Sequence, residues 1–154
     1  PTRTSEVDRF ADKVEAGATF GSTQLLYSDY IGTFLGELTQ KTDERPEIML
    51  SFGYVPKAEA KVGLLEWMIW HDQPIMEQEI DFVSSIAEKP FEQKKEKLVD
   101  LYKQVIDSVH KYDFPIGLQF SIPYGISGPA FETFSEMLEV WSPAREPVGA
   151  GNRR

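Results

Sequence analysis

FPIGLQFSIPYGIS, residues 114–127, is the stretch of this sequence that says most about the fold. Its even positions carry large apolar side chains, and its odd positions carry proline, glycine, glutamine or serine. Because side chains alternate across an extended backbone, this pattern predicts a strand with one apolar side and one flat, uncharged side. No charged residue occurs between Asp113 and Glu132, so we expect the flat side to be covered by another surface.

A second stretch has the same character. Pro46 and Pro56 bracket EIMLSFGYV, residues 47–55, in which large and small side chains again alternate. This stretch predicts a shorter strand, and the two strands can satisfy each other's backbone groups. Pro115 and Pro123 remove two backbone donors from the longer strand, so we expect that strand at the edge of the sheet.

The remaining segments have helical periodicity. The most informative helix is predicted over Thr23–Gln40, where Ser28, Gly32 and Gly36 form a stripe of small residues that lets a neighbouring helix approach closely. On a later helix, Glu79 is interpreted as a solvated charge beside two other acidic residues. The other helices are predicted over residues 5–16, 57–70, 75–88, 91–112 and 129–141.

These segments together predict an α+β fold. We expect one helix-rich domain of about six helices, over residues 1–142, with a small two-stranded sheet from residues 47–55 and 115–126; an all-α fold is the alternative. Both halves run helix, helix, strand, helix, which leaves open a tandem pair of half-repeats over residues 1–72 and 73–142. Residues 143–154, rich in proline and glycine, are interpreted as a tail.

Composition limits the kinds of partner and site. The 154 residues include 25 acidic and 16 basic ones, and the formal net charge of −9 argues against nucleic acid and membrane partners. With no cysteine and two histidines, the sequence favours neither a disulfide nor a metal site, and no cofactor motif occurs. No signal peptide or membrane-spanning run is present, so a cytoplasmic location is expected.

The densest group of chemically active side chains is LLEWMIWHD, residues 64–72. One interpretation makes His71 a general acid or base tuned by Glu66 or Asp72, with Trp67 and Trp70 as an aromatic wall. The simpler interpretation is favoured: a histidine in a last helical turn is stabilised by the helix dipole, and the two tryptophans fill the core.

Two hypotheses about function remain. The favoured one is a non-catalytic, acidic protein-binding domain, such as an accessory subunit, inhibitor or adaptor, whose uncharged edge strand meets a protein partner or a second copy of the chain. The alternative is a small cytoplasmic enzyme or small-molecule-binding protein with an aromatic pocket and His71 as its acid or base. The candidate binding residues in these hypotheses are Tyr54, Trp67, Trp70, Phe120 and Tyr124.

Overall fold

The computed structural model describes residues 3–55, 73–122 and 125–141 of the chain. Within these ranges it contains α1 (Arg3–Glu15), β1 (Phe20–Leu25), α2 (Tyr30–Leu38), β2 (Glu47–Gly53), α3 (Gln73–Ala87), α4 (Phe91–Val109), β3 (Ile116–Ser121) and α5 (Gly128–Val140). The α+β class is confirmed. The predicted helix over residues 57–70 lies outside the described residues, so five helices stand where about six were predicted.

The sheet differs from the prediction in size. It has three strands in the order β1-β2-β3, and both pairs are parallel. Phe52 of β2 lies opposite Phe120 of β3 in the register, and β3 is at an edge, as its prolines predicted. Parallel neighbours need crossover connections, which α2 supplies between β1 and β2, and α3 with α4 between β2 and β3. The two predicted strands lie side by side, while the half-repeats stay a prediction.

The strand that the sequence prediction missed is β1, which lies where a helix was expected to begin. The helix predicted over Thr23–Gln40 starts only at Tyr30. Between Ser22 and Leu25 the register with β2 shifts, and the Thr23 hydroxyl accepts the backbone N–H of Ser51 at 3.0 Å. This side-chain bond replaces a ladder bond at the irregularity, so β1 stays attached to β2 across it.

The helices α4 and α5 pack on one side of the sheet. The rings of Phe52 and Tyr102 of α4 meet edge to face at 4.9 Å, and Phe120 stacks on Phe134 of α5 at 4.6 Å. The opposite side carries the flat positions of β3, where Gln119 is exposed and donates to Ser121 at 3.2 Å. Within the described residues, the expected cover over this flat side is therefore incomplete.

Two of the three small residues in the predicted stripe, Gly32 and Gly36, lie on α2 and allow a close approach, whereas Ser28 precedes the helix. A Cβ atom added at Gly32 would lie 2.7 Å from the Cβ atom of Ser108 on α4, and one added at Gly36 would lie 2.5 Å from the Tyr112 hydroxyl. Two helices can approach this closely only where one of them lacks a side chain. On the far side of α4, Lys95 joins this helix to α5 through Glu132 at 2.8 Å.

Candidate functional site: the groove along β1

A groove of about 420 Å³ follows the outer side of β1. β1 forms one wall, and the others include Phe10 of α1, Phe34 of α2, Ile48 of β2 and Glu79 of α3. We call this space the β1 groove. Its volume lies in the range of small-molecule sites, which is about 300–1,000 Å³.

The β1 groove reaches the carboxyl end of β1. The strand ends at Leu25, and residues 26–29 connect it to α2. Ligands of parallel α/β sheets bind outside the carboxyl ends of the strands, because the loops that follow the strands can vary while the sheet holds them in place. Leu26 and Ser28 of this connection line the groove. The groove therefore occupies the part of the fold where a ligand is expected.

A buried carboxylate stands in the wall of the β1 groove at this end. Glu79 is only 4% exposed, and its Oε1 accepts the hydroxyl of Ser28 at 2.8 Å. The interpretation of Glu79 as a solvated charge is wrong, because it shares one face of α3 with Val83 and Ile86, which have no exposed surface. Their spacing of four and seven residues is the signal that could have placed Glu79 inside. Burying a carboxylate is costly without hydrogen bonds, which the Ser28 contact helps to supply.

Aromatic rings form the apolar part of the β1 groove. The rings of Phe10 and Phe34 lie 6.0 Å apart, and Phe20 is 50% exposed. Phe10 fits against β1 because Gly21 has no side chain: a Cβ atom there would lie 2.6 Å from the Phe10 ring. Aromatic faces of this kind pack well against a flat ring.

Charge in the β1 groove is mostly negative. Lys13 is the only basic residue among the groove's described lining, against the carboxylates of Glu6 and Glu79. A diphosphate needs several donors or cations and finds few here. The groove therefore fits an uncharged flat ring with N–H donors better than it fits a phosphorylated nucleotide.

Most of the predicted site residues fall outside the part of the chain that the structure describes. His71, Glu66, Trp67, Trp70 and Tyr124 are outside the described residues, so the His71 chemistry and the aromatic pocket stay predictions.

The other two predicted binding residues are described, and neither lines the β1 groove. Phe120 is committed to its stack on Phe134. Tyr54, directly after β2, is buried with the Lys94 ammonium 5.6 Å from its ring centroid. Burial raises the pKa of Tyr54 and lowers the pKa of Lys94, where Glu88 opposes the effect of burial. Tyr54 and Lys94 therefore belong to the packed interior and not to the lining of the β1 groove.

Residues 3–55, 73–122 and 125–141 contain no group of three or more His, Cys, Asp or Glu side chains placed to hold a metal ion. None of the helices described combines the length and the apolar character needed to cross a bilayer.

Comparison with known proteins overturns the favoured functional hypothesis. A family model described as mycobacterial methylenetetrahydrofolate reductase matches residues 1–145. No curated protein matches the chain. Because the matching family is one of enzymes, the prediction of a non-catalytic, protein-binding accessory subunit, inhibitor or adaptor is wrong. The uncharged edge strand that suggested it is present, but an exposed edge reports on the sheet and does not by itself define a function.

Proposed function

Because the chain belongs to the mycobacterial methylenetetrahydrofolate reductase family, we propose that it takes part in the reduction of a methylenetetrahydrofolate. The match over residues 1–145 is the observation that carries this proposal. In such a reduction, the methylene carbon that bridges two folate nitrogens accepts a hydride and becomes a methyl group. One carbon–nitrogen bond breaks, and the released nitrogen takes up a proton.

We assign the folate ring to the β1 groove. Three properties support this assignment: the volume of about 420 Å³, the aromatic side chains of Phe10 and Phe34, and the position beside the carboxyl end of β1. The bicyclic ring of a folate is flat over its pyrimidine half and carries several N–H groups. A groove with aromatic walls and carboxylates matches both properties.

A hydride donor is also required, and the described part of the groove does not fit a nucleotide donor. The described lining contains one lysine, Lys13, and two glutamates, Glu6 and Glu79, so a diphosphate would meet net negative charge there. We therefore derive no step through a nucleotide cofactor and assign only the folate to the β1 groove.

The assignment is tested by filling the groove. Ala18 lines the groove and is half-buried, so Ala18→Trp places an indole in the space assigned to the folate ring. We expect this variant to bind tetrahydrofolate at least about tenfold more weakly than the wild type, as measured by titration calorimetry. Ala16→Trp is the matched control, because Ala16 is exposed and lies outside the groove lining.

Two results would contradict the proposal at different levels. If the wild-type chain binds neither tetrahydrofolate nor methylenetetrahydrofolate at millimolar concentration, the proposed function fails. If the wild type binds tetrahydrofolate and both tryptophan variants bind it as tightly as the wild type does, the folate site is elsewhere. In that case only the assignment to the β1 groove fails.

The predicted role of His71 as a general acid or base is compatible with an enzyme and stays a prediction. In a reduction, a group that can donate a proton to the released folate nitrogen contributes to the rate. His71→Ala tests this role by the pH profile of the activity, whereas folate affinity reports separately on the groove. The cytoplasmic location also stays a prediction.

A further inference from the structure

The last turn of α1 brings Lys13 to the wall of the β1 groove. We propose that the Lys13 ammonium binds a carboxylate of the glutamyl tail of the folate, so that the groove selects for the tail as well as for the ring. This inference rests on the proposed function, because it takes a folate as the ligand. It adds a contact to the part of the folate that the assignment of the ring leaves open.

The length of the β1 groove is the first argument. Every residue from Phe20 to Leu26 lines it, and so does Ser28 beyond the end of the strand. The six residues of β1 extend over about 17 Å, at about 3.3 Å per residue of a parallel strand. A bicyclic ring placed among Phe10 and Phe34 fills only part of this length. The remaining part of the groove can hold the chain of atoms that joins the ring of a folate to its tail.

The position of Lys13 is the second argument. It lies three residues after Phe10 on the same face of α1, and both side chains line the groove. The backbone carbonyl of Lys13 accepts the N–H of Ala18 at 2.9 Å, which holds the last turn of α1 beside the start of β1. The ammonium stands at the end of a flexible four-carbon stem, so it can reach a ligand that contacts Phe10.

The charge around Lys13 is the third argument. Lys13 forms no ion pair with any residue that the structure describes. Glu6, two turns earlier on α1, is paired with Arg9. Glu79 accepts the hydroxyl of Ser28, which follows the carboxyl end of β1. The ammonium of Lys13 is therefore available to an anionic ligand.

The chemistry of the tail is the fourth argument. The glutamyl group of a folate carries two carboxylates, and an ammonium supplies three N–H donors to such acceptors. A diphosphate needs several donors or cations, whereas a carboxylate can be bound by a single ammonium. The formal net charge of the chain is −9, so a local cation lowers the repulsion that a dianionic tail meets at this surface.

A purely structural role for Lys13 makes a different prediction. A lysine in the last turn of a helix interacts favourably with the helix dipole, and this interaction does not depend on a ligand. Lys13→Gln removes the charge and keeps a long side chain of good helix propensity. If Lys13 serves only the helix, the variant binds every folate as the wild type does. Under the proposal, the variant loses the recognition of the tail.

The experiment measures the binding of two probes to the full chain by titration calorimetry at low ionic strength. The probes are tetrahydrofolate and the analogue in which both tail carboxylates are carboxamides. We expect the wild type to bind tetrahydrofolate about threefold to fivefold more tightly than the diamide, a modest factor because water screens an exposed ion pair. Lys13→Gln should lose this preference through weaker binding of tetrahydrofolate alone, and Lys13→Arg should retain it.

Lys97→Gln is the matched control. Lys97 is exposed on α4 and lies outside the lining of the groove, and its loss changes the net charge of the protein by the same amount. This variant should therefore keep the preference for tetrahydrofolate. Because Lys13 and Lys97 are both exposed, neither substitution should unfold the protein. Added salt should reduce the preference of the wild type and leave the binding ratio of Lys13→Gln unchanged.

Three results would overturn the inference while the proposed function stands. They are a wild type that binds the diamide as tightly as tetrahydrofolate, a Lys13→Gln variant that keeps the full preference, and a loss of preference that is equally large in Lys97→Gln. If the wild type binds neither tetrahydrofolate nor methylenetetrahydrofolate at millimolar concentration, the proposed function fails and this inference fails with it.

Discussion

The side chain of Tyr102 places a polar group in the core of the protein. It has no exposed surface, and its hydroxyl has no hydrogen-bond partner among the described residues. A buried hydroxyl without a partner costs about 1–3 kcal/mol in lost hydration. The edge-to-face contact between its ring and Phe52 contributes packing that does not depend on the hydroxyl.

Tyr102→Phe should therefore stabilise the protein. We expect the free energy of unfolding to rise by about 1 kcal/mol, because the variant keeps the ring and removes only the unpaired hydroxyl. Urea unfolding followed by circular dichroism measures the change. A loss of stability would show that the hydroxyl has a partner that stabilises the native state.

The burial of Glu79 shows why the environment of a single residue can be hard to predict from the sequence. Its charge, and the two other acidic residues near it on the helix, predict a side chain in solvent. Its spacing from Val83 and Ile86 contained the opposite information, but an apolar spacing rule does not expect a carboxylate. The contact with Ser28, 51 positions earlier in the chain, could not be predicted from local sequence at all.

At the scale of elements, the packing of α2 against α4 depends on a missing side chain. A Cβ atom at Gly32 would lie 2.7 Å from the Cβ atom of Ser108, so Gly32→Ala requires the helices to separate. The added methyl group improves helix propensity by about 1 kcal/mol, while overpacking costs about 1–3 kcal/mol. We expect the cost of overpacking to exceed the gain in helix propensity, because both clashing atoms are Cβ atoms, which cannot move without their backbones.

We therefore expect Gly32→Ala to lower the free energy of unfolding by about 1–2 kcal/mol. Gly36→Ala is the comparison: its Cβ atom would meet the Tyr112 hydroxyl, the far end of a side chain that can rotate, so its loss should be smaller. Combining Gly32→Ala with Ser108→Gly should recover part of the stability. Equal effects of the two alanine variants in urea unfolding would contradict this account.

The elements themselves were predicted unevenly. The helices over residues 91–112 and 129–141 and the strand around Leu50 follow from strong periodicity, and each is present within a few residues of its predicted bounds. The strand around Leu118 is also present, but β3 ends at Ser121, five residues before the end of the strand predicted over residues 115–126. β1 was missed because only Leu25 at its end is fully buried, so its sequence FGSTQL carries little alternation in hydrophobicity. The parallel orientation of the strands was also beyond reach, because strand pairing depends on connections whose paths local patterns do not specify.

At the scale of the whole molecule, stability should fall in alkaline solution. Burial raises the pKa of Tyr102 and of Tyr54 above the value of about 10 for a solvated tyrosine. Above pH 10, the unfolded chain loses these protons while the folded protein keeps them, so the free energy of unfolding decreases as the pH rises. The contribution of Lys94 to stability changes with pH in the opposite direction. Because burial lowers its pKa, the folded protein loses this proton at a lower pH than the unfolded chain does.

Comparing the wild type with Tyr102→Phe isolates one of these contributions. Between pH 8 and pH 11, we expect the variant to lose less stability than the wild type, because it lacks the Tyr102 hydroxyl and its raised pKa. Tyr54 and Lys94 contribute equally to both proteins. Urea unfolding at each pH measures the loss, and tyrosinate absorbance reports the ionisation directly. Parallel decreases in the two proteins would contradict the assignment of a raised pKa to Tyr102.

The parallel arrangement of β1, β2 and β3 has a consequence for how the chain reaches its native state. No hairpin can nucleate this sheet: residues 26–46 separate β1 from β2, and residues 54–115 separate β2 from β3. Each pairing must first close a long loop, at an entropic cost that only later contacts recover. Helical segments such as α4 can form within microseconds, so the slow step in refolding should be the docking of β3 onto β2.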